Sequence, residues 1–448
     1  MEVDAWLVRA AAARPQHTAV RTQHGAWSYT QLHAAASFAA GELAARGVRR
    51  GERVAIALPA GLDFVQALHA CLLLGAVAVP VDLRLSAAER SQVTKGAALY
   101  VAEPFGPPPE GAAARAHRAL RHTHELDAAA VVIHTSGTTS APRAVELTYG
   151  NILWSALGSA VALGLDHDER WLCALPLSHV GGLSILLRSA IYATSAVVHE
   201  RFDAGHVLET LREGEATLVS LVATTLARLL DGGLEDPPAL RCALTGGGPV
   251  PSALVARARA AGVPVSLTYG LTEACSQVTT TPIAAYDHVD EALTAGPPLF
   301  CTHVRIADDG EILVQGPTVA PGSRGEDGWL HTGDLGELDQ HGCLRVSGRK
   351  ADTIVSGGEN VAPAEVEAVL EAFPQVLEAA VVARADERWG EAVTAWVRAR
   401  DGVELDLVAL RAHCTHELAP FKVPKHFHVA EEPLPRTASG KLLRRRLR

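Results

Sequence analysis

His134-Thr135-Ser136-Gly137-Thr138-Thr139-Ser140-Ala141-Pro142-Arg143-Ala144-Val145 comes directly after an apolar run over 128–133 that predicts a buried strand. Positions 135–139 are all hydroxyl residues or glycine, so they cannot fill a core. Their hydroxyls and backbone N–H groups can instead wrap an anion. Pro142 stiffens the end of the stretch and Arg143 brings positive charge. On composition alone the stretch reads equally well as a polar surface loop. Its surroundings have to decide.

Working outward, alternation of strand and helix dominates the N-terminal half. The pattern predicts a hairpin over 19–29, a helix opened by Thr30 and closed at Gly47, a strand over 54–58, a helix over 62–74 and a strand over 76–81. Further helices are predicted after Ser86 and over 149–163, with strands over 171–175, 197–199, 216–221, 242–245 and 265–269. Such alternation indicates an α/β layer with parallel strands. From about Gly296 short β segments with Gly and Asp turns take over, predicting a small β-rich subdomain. Helices over 365–373 and 408–417 and strands over 376–383 and 391–398 then read as a compact α+β module. The expected division is residues 1–350 and 351–448.

The chain has 448 residues, enough for two or three domains with a sizeable core. A formal charge of −10 leaves no footprint for nucleic acid or an anionic membrane. The longest apolar run, 67–81, is too short to span a bilayer and contains Gly75 and Pro80. Glu2 and Asp4 precede no signal-peptide core, and a cytoplasmic location is the expectation. Seven dispersed cysteines without a Cys-x-x-Cys pair argue against a disulfide framework or a zinc site.

Several other segments place glycine or hydroxyl groups after a strand with one charge embedded. Gly246-Gly247-Gly248 allows close backbone approach to a flat ligand, or simply a turn. Tyr269-Gly270-Leu271-Thr272-Glu273 offers an aromatic face, a hydroxyl and a carboxylate able to hold Mg²⁺; it also reads as a helix start capped by Thr272. Asp334 ends a short strand, where a carboxylate can take both hydroxyls of a ribose. Lys441 is one of only five lysines and follows Ser439-Gly440, while Arg444–Arg446 reads as solvated charge. Walker-type, Rossmann and Gly-x-Ser-x-Gly patterns are absent from the sequence.

Taken in order and spacing, these segments resemble the adenylate-forming superfamily of acyl-CoA synthetases, adenylation domains and luciferases, over essentially the whole chain. Within it, the segment Leu175–Ser184 continuing to Arg188-Ser189, and Thr272-Glu273-Ala274-Cys275-Ser276-Gln277, are similar to the 2-succinylbenzoate–CoA ligases of menaquinone biosynthesis. The resemblance implies an α/β fold with a large N-terminal domain of layered α/β subdomains plus a small β-rich one, and a mobile C-terminal lid. It implies that Thr135, Ser136, Gly137, Thr138 and Thr139 wrap the ATP phosphates with Arg143 beside them, and that Gly246–Gly248, Tyr269 and Gly270 form the adenine slot. Asp334 and Arg349 then hold the ribose, Thr272 contacts the α-phosphate region, Glu273 binds Mg²⁺, and Lys441 bridges the attacking carboxylate and the α-phosphate. Ser356, Gly357, Gly358, Glu359 and Asn360 line the CoA channel, and Ala351 is the hinge.

A second carboxylate on the acid would have to be neutralised, because an unpaired buried charge is costly; Arg188, His179, Ser276 and Gln277 are the candidates, with His179 alternatively a gate and Arg188 an exposed helix residue. The implied partners are a small carboxylic acid, ATP and CoA, with Mg²⁺ as cofactor, no nucleic acid and no membrane span; a homodimer is compatible. Other readings are a ligase for another aryl or short-chain acid, an adenylation enzyme loading a carrier protein, and a nucleotide-binding protein without activity. The chain departs from the superfamily's Gly-x-Pro-Lys-Gly at Ser140-Ala141-Pro142-Arg143-Ala144, which keeps the charge but not the compact ammonium.

Overall fold

The structure, a computed structural model, describes residues 1–108, 120–135, 143–283, 294–356, 359–386, 389–437 and 442–447. The fold is mixed α/β. Among these residues the strands form five sheets.

The first large sheet runs Leu99–Val101, Arg53–Ile56, Val77–Pro80, Ala129–Thr135 and Arg143–Thr148. Its first four strands are parallel and the last is antiparallel. The second has eight strands, in the order Ser276–Thr280, Val265–Leu271, Cys242–Thr245, Leu218–Leu221, Arg170–Cys173, Ser195–Val198, Thr18–Thr22 and Gly25–Ser28. It is parallel in the middle and antiparallel at both ends. Helices Tyr29–Ala45, Leu62–Leu74, Tyr149–Leu163 and Val180–Tyr192 contribute to one core shared with both sheets. Leu62–Leu74 is apolar nearly all round and is buried from Phe64 to Leu74, as a helix between two sheets must be. A second core lies with helices Ala204–Arg212, Ala223–Asp231 and Ser252–Ala260.

Helix starts follow side-chain chemistry. Thr148 and Asn151 form a reciprocal capping box on Tyr149–Leu163, and Ser86 and Glu89 do so on Ala87–Val93. The helix expected to open at Thr30 opens slightly earlier. Ser28 caps it with Gln31, and the Thr30 hydroxyl is committed to the Pro15 carbonyl.

His303–Ile306, Glu311–Gln315, Leu330–Leu338 and Leu344–Arg349 make an antiparallel four-stranded sheet. From Ile354 onward a separate five-stranded sheet and the helices Pro363–Ala372 and Leu407–Glu417 build a core of their own. Among the described residues no helix is long and apolar enough to cross a membrane.

Burial, reinforced by the charges of Glu367 and Glu378, pushes the Glu371 carboxyl up from 4.5 to about 7, although it accepts the Ala379 N–H. Between those values the folded chain keeps a proton that the unfolded chain releases, so stability falls as pH rises towards 7. The loss is at most about 1.4 kcal/mol per pH unit. Glu371→Gln should therefore raise the unfolding midpoint at pH 8 and leave it nearly unchanged at pH 5; thermal melts at the two pH values check this.

Candidate active site

The two large sheets meet the four-stranded sheet around the turn Thr272–Ala274. Tyr269 and Gly270 lie on strand Val265–Leu271, where the pairing with Ser276–Thr280 shifts register between them. A Cβ at Gly270 would collide with the Ser276 carbonyl, so only glycine fits. The strand then enters a single 3-10 turn, Thr272–Ala274, rather than the full helix its residues also allow; no side chain caps it. Cys275 and Ser276 come next with φ of 54° and 94°, a left-handed reversal unusual for residues with side chains. Glu273 is half-buried, and its carbonyl takes the Ala320 N–H at 2.8 Å.

Gly246–Gly248 lie just beyond strand Cys242–Thr245. Gly246 is buried and packs so tightly on Thr268 that a side chain cannot be added, while Gly247 and Gly248 are exposed. Asp334 is not at a strand end, as expected, but within Leu330–Leu338. It is buried, accepts the Tyr269 hydroxyl at 2.8 Å on Oδ2, and pairs with Arg349 Nε at 2.7 Å on Oδ1. Burial and the Asp334 charge both push the Tyr269 phenol up, so it stays a donor. Thus an aromatic ring, a carboxylate and a guanidinium from three strands converge.

At the two ends of the stretch from His134 to Val145 the described residues are strands. Thr135 ends one strand opposite Arg143, which begins the next, and the Thr135 hydroxyl donates to the Arg143 carbonyl at 3.3 Å. Arg143 is exposed there. Ser136, Gly137, Thr138 and Thr139 lie outside the described residues, as do Gly357, Gly358 and Lys441. Of the expected CoA channel, Ser356 is buried on strand Ile354–Ser356, Glu359 is exposed, and Asn360 pairs with Val355 through its backbone position. Ala351 is exposed in the turn Lys350–Asp352.

Arg188 is buried rather than exposed, at 3 % exposure on helix Val180–Tyr192. It lines a cavity with Val131, Leu147, Ser155, Val180, Ser184 and Cys275. Its Nη2 donates to the Ser155 hydroxyl at 3.0 Å, and its guanidinium lies 5.6 Å from the Trp171 ring. Its Nε has no partner among the described residues. Burial pulls the Arg188 pKa down, the direction expected of a cation held without a carboxylate. Ser155 passes the bond on to the Cys275 carbonyl at 2.6 Å. His179, Ser276 and Gln277 do not line this cavity, although each adjoins or lies near a residue that does: His179 precedes Val180, and Ser276 and Gln277 come after Cys275. The Gln277 amide donates to Thr280 at 2.7 Å, leaving its carbonyl oxygen unpartnered among the described residues.

Asp82 and Ser155 are residues near the cavity that the sequence motifs do not single out, and Cys275 stands within the Thr272–Gln277 segment but carries no expected role there. Asp82 lies 4.0 Å from His179 Nε2. Burial works to raise its pKa, but hydrogen bonds from the Arg84 side chain and backbone outweigh this and hold the carboxyl below its ordinary value. Asp82-Leu83-Arg84 after a parallel strand is the available signal. All seven cysteines are free, and burial pushes the Cys275 thiol up to about 12 despite Arg188 beside it. Among the described residues no three His, Cys, Asp or Glu side chains cluster as a metal site. A single carboxylate at Glu273 suits Mg²⁺ carried by phosphates rather than by a protein cage.

Residues 7–102 and 92–323 match the model of the AMP-binding enzymes, and residues 365–441 match the AMP-binding enzyme C-terminal domain. The chain belongs to the AMP-binding enzyme family. It is similar to a 2-succinylbenzoate–CoA ligase of Bacillus licheniformis, at 38% identity over 99% of this chain and 98% of that one. It also resembles the solved o-succinylbenzoate CoA synthetase of Bacillus subtilis in complex with the acyl-adenylate intermediate. There the TM-score is 0.90 at 37% identity, covering 100% of this chain and 98% of that chain. Against a double mutant of the same Bacillus subtilis enzyme bound with a product analogue, over the same coverage and at 37% identity, the TM-score is 0.73. Within the family, this chain therefore has the shape of the acyl-adenylate complex more than that of the product-analogue complex.

Proposed function

We propose that this chain is an ATP-dependent acid–CoA ligase that acts through an acyl-adenylate, converting 2-succinylbenzoate, ATP and CoA to 2-succinylbenzoyl-CoA, AMP and pyrophosphate. The observation that carries the choice of acid is Arg188, a buried guanidinium with a free N–H and the one charged residue lining a largely apolar cavity among the described residues. A buried cation of this kind is costly unless a ligand brings the opposite charge. An acid with one carboxylate to activate and a second to bury meets that need. Ser155 fixes the guanidinium; His179, Ser276 and Gln277 neighbour lining residues in the sequence and are assigned to the acid on the resemblance alone.

In the first half-reaction the acid's carboxylate oxygen attacks the α-phosphorus, and the bond to pyrophosphate breaks. Both reactants are anionic, so the chain must supply positive charge and alignment. Lys441 is assigned to bridge carboxylate and α-phosphate, and Thr272 to contact the α-phosphate region. The loop 135–139 with Arg143 takes the β- and γ-phosphates. Asp334 and Arg349 take the ribose, and Tyr269, Gly270 and Gly246–Gly248 the adenine. Mg²⁺ at Glu273 would screen the phosphate charge. In the second half-reaction the CoA sulfur attacks the acyl carbon and AMP leaves, with Ser356–Asn360 along the thiol's path. We place the domain boundary at 350/351 with Ala351 as hinge. The TM-scores of 0.90 and 0.73 mean that the two Bacillus subtilis structures differ from each other in overall arrangement, which is in keeping with a family that has a movable part. We place the enzyme in the cytoplasm, as a monomer or homodimer.

Acid-dependent ATP–pyrophosphate exchange over a panel of acids tests this reading. Exchange should be greatest by far with 2-succinylbenzoate, and added CoA should convert the adenylate to thioester. Comparable exchange with benzoate or short-chain monocarboxylates would reject the acid assignment; absence of exchange with every acid would reject the activity.

A further inference from the structure

The segment that carries Lys441 is approached and left by residues tied down at both ends. On the approach, Glu378 of strand Val376–Asp386 accepts the Leu434 N–H and the Arg436 guanidinium, each at 3.0 Å. On departure, Arg444 is held by Glu367 of helix Pro363–Ala372 through Nη2 at 2.7 and 2.9 Å and Nε at 3.3 Å. Glu367 is only 8 % exposed and also accepts the Val381 N–H at 2.8 Å. The two arms are closed on each other by an antiparallel bridge between Arg436 and Leu442, and by the Leu443 N–H donating to the Pro435 carbonyl at 2.7 Å. Arg444 Nη1 also reaches Asp352 at 3.3 Å, one residue beyond Ala351. A charged pair with fork geometry and a buried acceptor resists displacement better than an exposed pair of point charges.

We propose that Glu367 and Arg444 are positioning residues for adenylation. They hold the two flanks from which Lys441 is presented and, through Asp352, tie the second flank to the residue just past the hinge. The proposal rests on the assignment of Lys441 above. It gives Glu367 a role in only one half-reaction, because thioester formation does not use the lysine.

The test compares Glu367→Gln, Arg444→Lys, Asp352→Asn and Lys441→Ala in two assays: acid-dependent pyrophosphate exchange, and CoA attack on supplied acyl-adenylate. A displacement of about 1 Å at a reacting group costs on the order of 10²-fold in rate. E367Q should therefore lower the exchange kcat about 30- to 100-fold, leave KM for ATP and acid within about threefold, and leave the CoA step within about threefold. R444K, which keeps the charge but not the fork, should fall between E367Q and the parent chain. D352N, at a half-buried position, should lose about three- to tenfold in exchange alone and serves if E367Q does not fold. Equal loss in both assays, or full exchange activity in E367Q, overturns the positioning role. Full exchange activity in K441A would instead overturn the assignment on which it rests.

Discussion

Replacing Lys441 by alanine should lower acid-dependent pyrophosphate exchange by at least about 10³-fold while largely sparing CoA attack on supplied acyl-adenylate. Removing one donor from a transition-state anion costs about 10²–10³-fold in well-studied sites, and here the group also cancels repulsion between two anions brought into contact. In the role assigned to it, the ammonium acts where negative charge builds at the α-phosphorus, so kcat should carry the loss and KM for ATP should change little. The second half-reaction starts after pyrophosphate has left and involves an uncharged acyl carbon. Rapid-quench measurement of each half-reaction separates the cases; parallel loss in both would contradict the assigned role.

The second large effect belongs to Arg188. Arg188→Met should lower kcat/KM for 2-succinylbenzoate by about 10²–10³-fold, because breaking a buried charge pair costs about 2–5 kcal/mol. KM for ATP should stay within about twofold. Without acid, the same substitution should raise the unfolding midpoint, since it replaces an uncompensated buried cation with an apolar side chain of similar length. A stability gain together with a binding loss would distinguish a ligand site from a structural arginine. Unchanged acid KM, or a clear drop in stability, would reject the placement. The same reasoning explains why monocarboxylates should be poor substrates: they fit the apolar walls but leave the guanidinium bare, and a site built around a polar partner rejects analogues lacking it far more strongly than sterics alone would.

Much of the scaffold is legible in the sequence because its local signals agree. Leu62–Leu74 and Tyr149–Leu163 have readable ends, since each is an apolar block closed by glycine. Cys242–Thr245 and Glu311–Gln315 are likewise bounded by turn residues. The cap at Ser28 rather than Thr30 turns on two hydroxyls two residues apart; Ser28 has Gln31 three residues on to complete a capping box, and the Thr30 hydroxyl bonds the Pro15 carbonyl instead. The adenine and ribose groups stand out as motifs, but no motif reports that Tyr269 donates to Asp334 across 65 residues of sequence. The acid cavity is the least legible part. Arg188 can be named, yet its burial and its Ser155 partner come from two helices meeting, and no periodicity within either helix reports on that. Asp82, which faces His179 from the end of the first sheet, escapes a sequence reading for the same reason.

Cys275 beside Arg188 bears on a hazard inherent in the proposed chemistry. An acyl-adenylate is an electrophile that any thiolate can capture, and a thiol lines the cavity proposed for the acid. With its pKa pushed up to about 12, fewer than about one in 10⁴ of the Cys275 side chains is thiolate at neutral pH. Cys71, Cys173 and Cys242 are raised to about 12 and Cys414 to about 11, with Cys301 and Cys343 raised as well. The chain is thus poorly able to acylate itself on cysteine. Among the thiols, the sulfur of CoA is left as the competent acceptor, so this intermediate can wait for CoA without being drained onto the protein's own cysteines.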